Sequence, residues 1–203
     1  MTRLDPFYLI VGDVAELARL VPLGVRLVQL RLKDQPDDEM QRQIGLAREI
    51  CATHGAQLVV NDHWRIALQL GCDFVHLGQE DMQTADLDAL RRAGIRFGLS
   101  THDHAELARA LAEAPAYVAL GPVYPTLLKQ MPWGPQGLER VREWRGLAGQ
   151  VPLVGIGGLT VDRLPGLFEA GADSAAVVTD IQAADDPVER CRDWLRATRR
   201  WVA

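Results

Sequence analysis

Short apolar runs alternate with longer amphipathic stretches along the whole chain. The apolar runs are rich in Val, Ile and Leu, which is typical of strands that are buried on both faces. Eight strands are predicted, at residues 8–11, 25–31, 57–61, 73–77, 96–99, 117–121, 151–156 and 174–178.

Between these runs, apolar positions recur at spacings of three and four, which is typical of helices with one buried face. Two such faces are formed by Met40, Ile44, Ala47 and Cys51 and by Leu138, Val141, Trp144 and Ala148. Pro165 falls inside the seventh helical pattern, so we expect that helix to start there, with Leu164 outside it. A proline in the helix interior would lose a backbone hydrogen bond and clash with the preceding turn.

Strand and helix patterns thus repeat as eight β–α units, with no linker and no break in composition. Regular alternation of this kind favours a parallel sheet. We therefore predict one domain over residues 1–203, an α/β fold of the (β/α)₈ TIM-barrel type near its lower size limit. A doubly wound open sheet is the alternative, although no G-x-G-x-x-G motif follows the first strand.

Composition narrows the functional classes. Hydrophobic residues make up 48% of the chain, and the formal net charge is -5, which argues against nucleic-acid binding. No apolar run is long enough to cross a bilayer, and the N-terminus lacks the apolar core of a signal peptide. Three widely spaced cysteines without a C-x-x-C motif predict buried, reduced thiols in a cytoplasmic protein.

The active site of such a barrel lies at the carboxyl ends of its strands. After the second strand, side-chain alternation places Gln29, Arg31 and Lys33 on one face. An arginine and a lysine converging at a strand end suit a polyphosphate, because both offset negative oxygens and arginine binds two oxygens at once. A solvated strand end is the other interpretation.

Two carboxylates, Asp62 and Asp81, follow the third and fourth strands. Oxygen ligands completed by substrate phosphates and water are the usual environment of Mg²⁺. The alternatives are that Asp62 is the N-cap of a helix beginning near Trp64 and that Asp81 is a solvated loop residue.

Gly157, Gly158 and Thr179 follow the last two strands, the usual position of a phosphate site in this fold. Ser100, after the fifth strand, is either a ligand contact or a helix cap. His76 lies within the fourth strand, and we interpret it as a packing residue rather than a catalyst.

His102 and His104 lack a third ligand, so we interpret them as residues that bind no metal. No Ser-His-Asp or Cys-His constellation is evident, and no lone lysine lies at a strand centre. The assembled groups suit a reaction in which a diphosphate leaves and a phosphorylated acceptor enters, with catalysis by positioning and charge stabilisation.

Several of these residues stand in motifs that resemble the thiamine phosphate synthase family over nearly the whole chain. The matching segments are 28–33 (VQLRLK), 60–62 (VND), 75–82 (VHLGQEDM), 98–102 (GLSTH), 121–126 (GPVYPT), Lys129, 155–158 (GIGG) and 177–179 (VVT). Their order and their placement at strand ends make the resemblance specific.

The resemblance implies an Mg²⁺-dependent transferase. It would join 4-amino-2-methyl-5-(diphosphooxymethyl)pyrimidine to 4-methyl-5-(2-phosphooxyethyl)thiazole, giving thiamine phosphate and diphosphate. By matching position, the pyrimidine diphosphate would contact Gln29, Arg31, Lys33, Asn61, Ser100 and Lys129. The thiazole phosphate would contact Thr126, Gly158, Val178 and Thr179. The substrate-binding segments also include Leu30, Leu32, Leu127 and Leu128, and Asp62 and Asp81 would hold Mg²⁺.

Catalysis would rest on Arg31, Lys33 and Lys129, which stabilise the departing diphosphate. Three residues depart from the family pattern: Leu32 replaces a frequent acidic residue, Leu128 replaces a second threonine, and Thr179 replaces a serine but keeps the hydroxyl. Leu128 puts the thiazole contact in question more than the activity.

Two alternatives stay open, a thiazole tautomerase-like paralogue and a non-catalytic paralogue that binds thiamine intermediates. The tautomerase typically lacks the paired aspartates and has histidine where Pro122 stands, so Asn61, Asp62, Asp81 and Pro122 favour the synthase. The expected partners are these small-molecule substrates, with neither nucleic acid nor membrane, and the sequence leaves open whether the chain forms a homo-oligomer.

Overall fold

Eight parallel strands close into a barrel in the computed structural model, which describes residues 4–126 and 134–202. The strands are β1 (Phe7–Val11), β2 (Leu27–Leu30), β3 (Gln57–Asn61), β4 (Phe74–Leu77), β5 (Arg96–Thr101), β6 (Tyr117–Leu120), β7 (Leu153–Ile156) and β8 (Ser174–Val177). Each strand pairs with its neighbours in chain order, and β8 closes the barrel on β1 through Phe7 and Ala175.

The helices that surround the barrel are α1 (Val14–Leu20), α2 (Asp37–His54), α3 (Trp64–Leu70), α4 (Gln79–Thr84), α5 (Leu87–Arg92), α6 (His104–Ala112), α7 (Gly137–Ala148), α8 (Leu164–Glu169), α9 (Thr179–Gln182) and α10 (Pro187–Thr198). Short 3₁₀ turns lie at Val21–Leu23, Val161–Arg163 and Arg199–Trp201. The predicted (β/α)₈ fold is confirmed, and closure of the sheet excludes the doubly wound alternative.

All eight predicted strands are present, with ends that move by two residues or fewer. β2 is shorter than predicted, since it ends at Leu30, although the backbone N–H of Arg31 still donates to Val11 O at 2.9 Å. The prediction for the seventh helical pattern was partly wrong. Pro165 lies in the first turn of α8, as expected, but Leu164 is inside that helix and completely buried.

Side chains pack in two layers because alternate strand residues point to opposite faces of the sheet. The barrel interior is filled by a cluster made of Leu4, Tyr8, Ile10, Leu27, Val59, Phe74, Tyr117, Ala119, Val154 and Ala176. A larger cluster lies between the strands and the helices and includes both buried tryptophans, Trp144 and Trp194. The inner cluster forms the floor beneath the strand ends.

Gly98 makes room for the largest inner side chain. A Cβ atom at Gly98 would overlap the ring of Tyr117 on the neighbouring strand, which pairs with β5 at this position. Tyr117 also packs edge-on against Phe74 and Tyr8. The absence of a side chain on β5 thus sets where the Tyr117 ring lies.

The buried thiols expected from composition are present in the structure. Cys51, Cys72 and Cys191 are buried free thiols, and burial raises the pKa of Cys51 to about 12. Within residues 4–126 and 134–202, no helix combines the length and the apolar character that a membrane crossing needs.

We expect Gly98→Ala to lower the free energy of unfolding by about 1–3 kcal/mol, because the added methyl group collides with the Tyr117 ring. Gly45→Ala is the matched control, since Gly45 lies within α2 with nothing within 4 Å of its Cβ position. That change should raise stability by roughly 0.5–1 kcal/mol through helix propensity. Urea denaturation of both variants measures the difference, and a neutral Gly98→Ala would contradict the packing argument.

Candidate active site

The strand alternation divides the residues of the second strand end between the two layers. Gln29 points into the barrel and donates a hydrogen bond to Tyr8, a member of the inner cluster. Leu30 and Leu32 are buried in the outer cluster. Any contact of these two leucines with a substrate would therefore come from backbone atoms.

Arg31 and Lys33 lie in the segment that follows β2. Arg31 is half-buried, and its positive charge lowers the pKa of both Asp62 and His76, which places it beside the ends of β3 and β4. Lys33 is exposed two residues further along the chain. The two cations are thus available at the rim for an anionic ligand.

Asp62 has an unusual backbone conformation directly after β3. Its φ of 61° lies in the left-handed region, which Asp and Asn tolerate better than most residues. The conformation is held by a hydrogen bond from the Asp62 N–H to His76 O at 2.9 Å. Asn61 Nδ2 donates to Asp62 Oδ2 at 2.5 Å, which orients the carboxylate.

The helix-cap interpretation of Asp62 was wrong. α3 begins at Trp64, as predicted, but its N-cap is His63, which makes no side-chain cap hydrogen bond. The Asp62 carboxylate is directed elsewhere, toward Asn61 and Asp81. The turn therefore serves to present this carboxylate at the rim.

Asp62 and Asp81 form a close carboxylate pair. Burial, repulsion by Asp81 and a hydrogen bond shared with Asp81 raise the pKa of Asp62 to about 6, although Arg31 and Asn61 act in the opposite direction. Two carboxylates that repel each other at close range are a favourable environment for a divalent cation. Across the described residues, no group of three or more His, Cys, Asp or Glu side chains could hold a metal. The two carboxylates are a donor set that fits Mg²⁺, which usually takes one or two carboxylates and completes its shell with water and phosphate.

A chain of hydrogen bonds crosses the barrel interior beneath this pair. From Gln29 the chain runs through Tyr8 to Tyr117, with 2.9 Å between the two hydroxyl oxygens. Tyr117 reaches His76 Nδ1 at 2.7 Å, and His76 Nε2 lies 2.9 Å from Ser100 Oγ. His76 was predicted to be a packing residue, and it does stack against the Tyr117 ring while it also links Tyr117 to Ser100. Burial and the nearby Arg31 lower the pKa of His76 to about 4, so the ring is neutral at pH 7.

Ser100 is also held through its backbone. Gln79 at the start of α4 donates to Ser100 O at 2.6 Å, and Arg109 donates to Gln79 Oε1 at 3.2 Å. Because α4 carries Asp81, these contacts join the carboxylate pair to the end of β5.

The opposite side of the rim is built from the ends of β7 and β8. Gly157 and Gly158 have φ values of 94° and 63°, and a Cβ on Gly158 would overlap Pro125 O. Tyr124 N donates to Gly157 O at 3.0 Å, which joins the segment after β6 to this turn. Thr179 is the first residue of α9, and the N-terminus of a short helix after the last strands is the usual phosphate position in this fold.

Asp180 fixes α9 to the outer layer. Its carboxylate accepts a bidentate pair of hydrogen bonds from Arg190, at 2.9 and 3.0 Å, and one from Trp194 Nε1 at 2.7 Å. These partners lie on α10, so the position of Thr179 is set by a half-buried ion pair on the adjacent residue.

The structure therefore brings most predicted site residues to one rim. Gln29, Arg31, Asn61, Asp62, Asp81 and Ser100 gather on one side, and Thr126, Gly158, Val178 and Thr179 belong to the strand ends across from them. Leu127, Leu128 and Lys129 lie outside the described residues. His102 and His104 form hydrogen bonds with Glu106 and Glu143, respectively.

Sequence reasoning missed Tyr8, Tyr117, Gln79 and Asp180. For the tyrosines a signal was present, because a phenol inside an apolar strand needs a hydrogen-bond partner when it is buried. Gln79 and Asp180 act on partners in other β–α units, and nothing in the local pattern identifies those partners.

Comparisons with known proteins identify the family of this chain. The family model described as thiamine monophosphate synthase matches residues 7–181. A thiamine-phosphate synthase of Rhizobium etli is 59% identical over 98% of both chains, and one of Cronobacter sakazakii is 45% identical over 95% of this chain and 89% of its own. A solved thiamine phosphate pyrophosphorylase from Pyrococcus furiosus superposes with a TM-score of 0.85 at 24% identity, covering 98% of each chain, which supports the fold.

The carboxylate pair predicts how stability without divalent cations depends on pH. The folded-state pKa of Asp62 lies above its usual value near 4, so the folded chain binds more protons than the unfolded chain between these values. The contribution of this pKa shift to the free energy of unfolding is therefore complete below about pH 4, and it is lost as the pH rises through about 6. Asp62→Asn keeps a residue that tolerates the left-handed turn, and it should raise the free energy of unfolding at pH 8 by about 1–2 kcal/mol.

Asp34→Asn is the matched control for that measurement. Asp34 is exposed and also has a left-handed backbone, with φ of 51°. Urea denaturation in EDTA at pH 5 and pH 8 should show a clearly larger gain for Asp62→Asn at pH 8 than at pH 5, where only part of the stabilisation is lost, with Asp34→Asn unchanged at both values. Equal gains at both pH values would show that carboxylate repulsion is not the cause.

Proposed function

The chain belongs to the thiamine monophosphate synthase family, and from this premise we propose how its rim performs the synthase reaction. The carbon–oxygen bond between the aminopyrimidine methylene and diphosphate breaks, and a carbon–nitrogen bond to the thiazole ring forms. The products are thiamine phosphate and diphosphate. The observation that carries the proposal is the position of Arg31 beside the Asp62–Asp81 pair.

Arg31 and Lys33 bind the diphosphate and offset the charge that develops as it departs. Lys129 has the same role by its match to the family motif, and it lies outside the described residues. Arginine suits this task because its planar fork binds two phosphate oxygens at once. Fixed cations that face a leaving oxyanion stabilise the transition state strongly, because they need no reorganisation during the reaction.

Asp62 and Asp81 hold Mg²⁺ in this proposal. The raised pKa of Asp62 supports this assignment, because burial and repulsion by Asp81 outweigh the opposing charge of Arg31. When bound, Mg²⁺ would supply positive charge that offsets the charge of the substrate diphosphate. Asn61 keeps the Asp62 carboxylate oriented for that ligation.

The two organic substrates occupy opposite sides of the rim. Gln29, Asn61 and Ser100 contact the pyrimidine, and their side chains lie at the inner ends of β2, β3 and β5. Thr126, Gly158, Val178 and Thr179 receive the thiazole phosphate. The left-handed Gly158 permits a close backbone approach, and Asp180 holds Thr179 in place.

No general base is needed for bond formation, because the thiazole nitrogen attacks with its own lone pair. The pyrimidine amino group donates electrons toward the methylene carbon as diphosphate leaves. His76 stays neutral at neutral pH, since its pKa is lowered to about 4, and it therefore does not act as a general acid. The chain therefore contributes orientation and charge stabilisation.

The comparisons favour the synthase over both alternatives. The relatives that are 59% and 45% identical are both named thiamine-phosphate synthase. The paired aspartates that typically distinguish the synthase from the tautomerase lie together in space. Three buried free thiols support a cytoplasmic location, where thiols stay reduced.

We expect product formation from the two substrates to require Mg²⁺ and to depend on the carboxylate pair. Asp62→Asn and Asp81→Asn should each lower kcat/KM by about 10²–10³, as when one well-placed charge stabiliser is lost. Mg²⁺ alone should raise the melting temperature of the wild type at pH 8 and leave that of Asp62→Asn unchanged. Thiazole isomerisation without thiamine phosphate formation would instead identify the tautomerase alternative.

Arg31→Ala should lower kcat by about 10²-fold, and Arg31→Lys should recover only part of this loss because lysine lacks the planar fork. Arg19→Ala, an exposed change in the last turn of α1, is the control and should leave activity unaltered. Steady-state rates measured over a range of substrate concentrations up to saturation separate kcat from KM. Full activity of Arg31→Lys would mean that charge alone suffices at this position.

A further inference from the structure

The polar chain in the barrel interior has a direction. Gln29 Nε2 can only donate, so the Tyr8 oxygen accepts that bond and its single proton is free to go to Tyr117. Tyr117 then has one proton left, which it donates to His76 Nδ1. A neutral histidine with an accepting Nδ1 carries its proton on Nε2 and donates it to Ser100 Oγ.

This direction fixes what the two ends of the chain present to a ligand. Because Gln29 Nε2 donates to Tyr8, the Oε1 acceptor of the same amide points away from Tyr8. Within residues 4–126 and 134–202, no hydrogen bond to that oxygen is present. With Oγ accepting from His76, Ser100 keeps its own hydroxyl proton for donation. Reversal of the chain would exchange both properties together.

The surrounding packing holds this chain of hydrogen bonds in one direction. Tyr8 and Tyr117 are 1% and 0% exposed, so each buried hydroxyl must keep its partner. Gly98 leaves room for the Tyr117 ring, and the rings of Tyr8, Phe74 and His76 pack around it. The hydroxyl positions are thus set by packing and not by the ligand.

We propose that Tyr8, Tyr117 and His76 are positioning residues that lock the Gln29 amide and the Ser100 hydroxyl in one hydrogen-bonding direction and so select an aminopyrimidine over an oxopyrimidine. This inference rests on the proposed function for the identity of the ligand. An amino group donates to the Gln29 Oε1 acceptor, whereas a ring carbonyl at the same position places one acceptor against another. None of the three residues needs to touch the substrate.

The test compares equilibrium binding of two pyrimidines in the presence of Mg²⁺. Both carry a diphosphonate joined through carbon, so that no group leaves, and they differ only in a 4-amino or 4-oxo substituent. Calorimetry should give the wild type a preference of about tenfold or more for the amino ligand. In Tyr8→Phe the Gln29 amide is free to rotate, and the preference should fall to about threefold or less.

Two further variants make the result decisive. Tyr117→Phe removes the next hydroxyl in the series of hydrogen bonds and should reduce the preference in the same way. It also provides the test if Tyr8→Phe does not fold. Thr198→Val is the control, because it removes a buried hydroxyl that bonds only within α10. An unchanged preference in a folded Tyr8→Phe or Tyr117→Phe protein would overturn the proposal.

A second measurement needs no substrate. Nitrogen-15 NMR of labelled histidine, assigned with His76→Gln, should show the neutral Nε2–H form of His76 in the wild type. The Nδ1–H form would overturn the direction of the chain. Because this readout is independent of turnover, a wild type that makes no thiamine phosphate would refute the proposed function and leave the direction of the chain standing.

Discussion

The closure of eight parallel strands fixes the site, because each strand then has one inner and one outer face with a period of two residues. Gln29 and the leucines that flank Arg31 illustrate the constraint. Leu30 and Leu32 fill the outer layer, so their polar neighbours are left to the interior and the rim. A slip of one residue in the pairing of β2 would bury Arg31 against helices and expose the leucines to substrate. The hydrophobic requirement of the outer layer thus determines which charges reach the rim.

The same closure obliges the barrel to satisfy polar groups deep in its interior. Tyr8 and Tyr117 are on strands on opposite sides of the barrel, and their hydroxyl groups meet across it. The two ends of this hydrogen-bonded series are Gln29 and Ser100 at the strand ends, so interior packing orients the side chains that recognise the ligand. Gly98 contributes by having no side chain, since it admits the ring on which the contact depends. A buried polar network of this kind stabilises the fold only when every polar group in it has a hydrogen-bond partner.

Much of this architecture was predictable from sequence because its signals are local. The apolar runs identified all eight strands, and the polar residues that follow them gather at the rim, as Arg31 and Asp62 show. The contacts that orient these residues were not predictable. The bond between Tyr8 and Tyr117 joins residues 109 positions apart, and the left-handed turn at Asp62 is held by His76 O from another strand. An aspartate two residues before a helix looks like a cap, and only the tertiary contact shows that it is not.

The left-handed backbone at Asp62 limits how this position can change during evolution or engineering. Asparagine and glycine suit the turn but remove the negative charge, and glutamate keeps the charge but tolerates the turn less well. The set of residues that meets the conformational and the electrostatic demand together is reduced to aspartate. Library designs that randomise the rim would therefore recover aspartate here even under weak selection for activity. Diversity would be gained instead at exposed neighbours such as Arg65, which lies within α3 and carries no such backbone restriction.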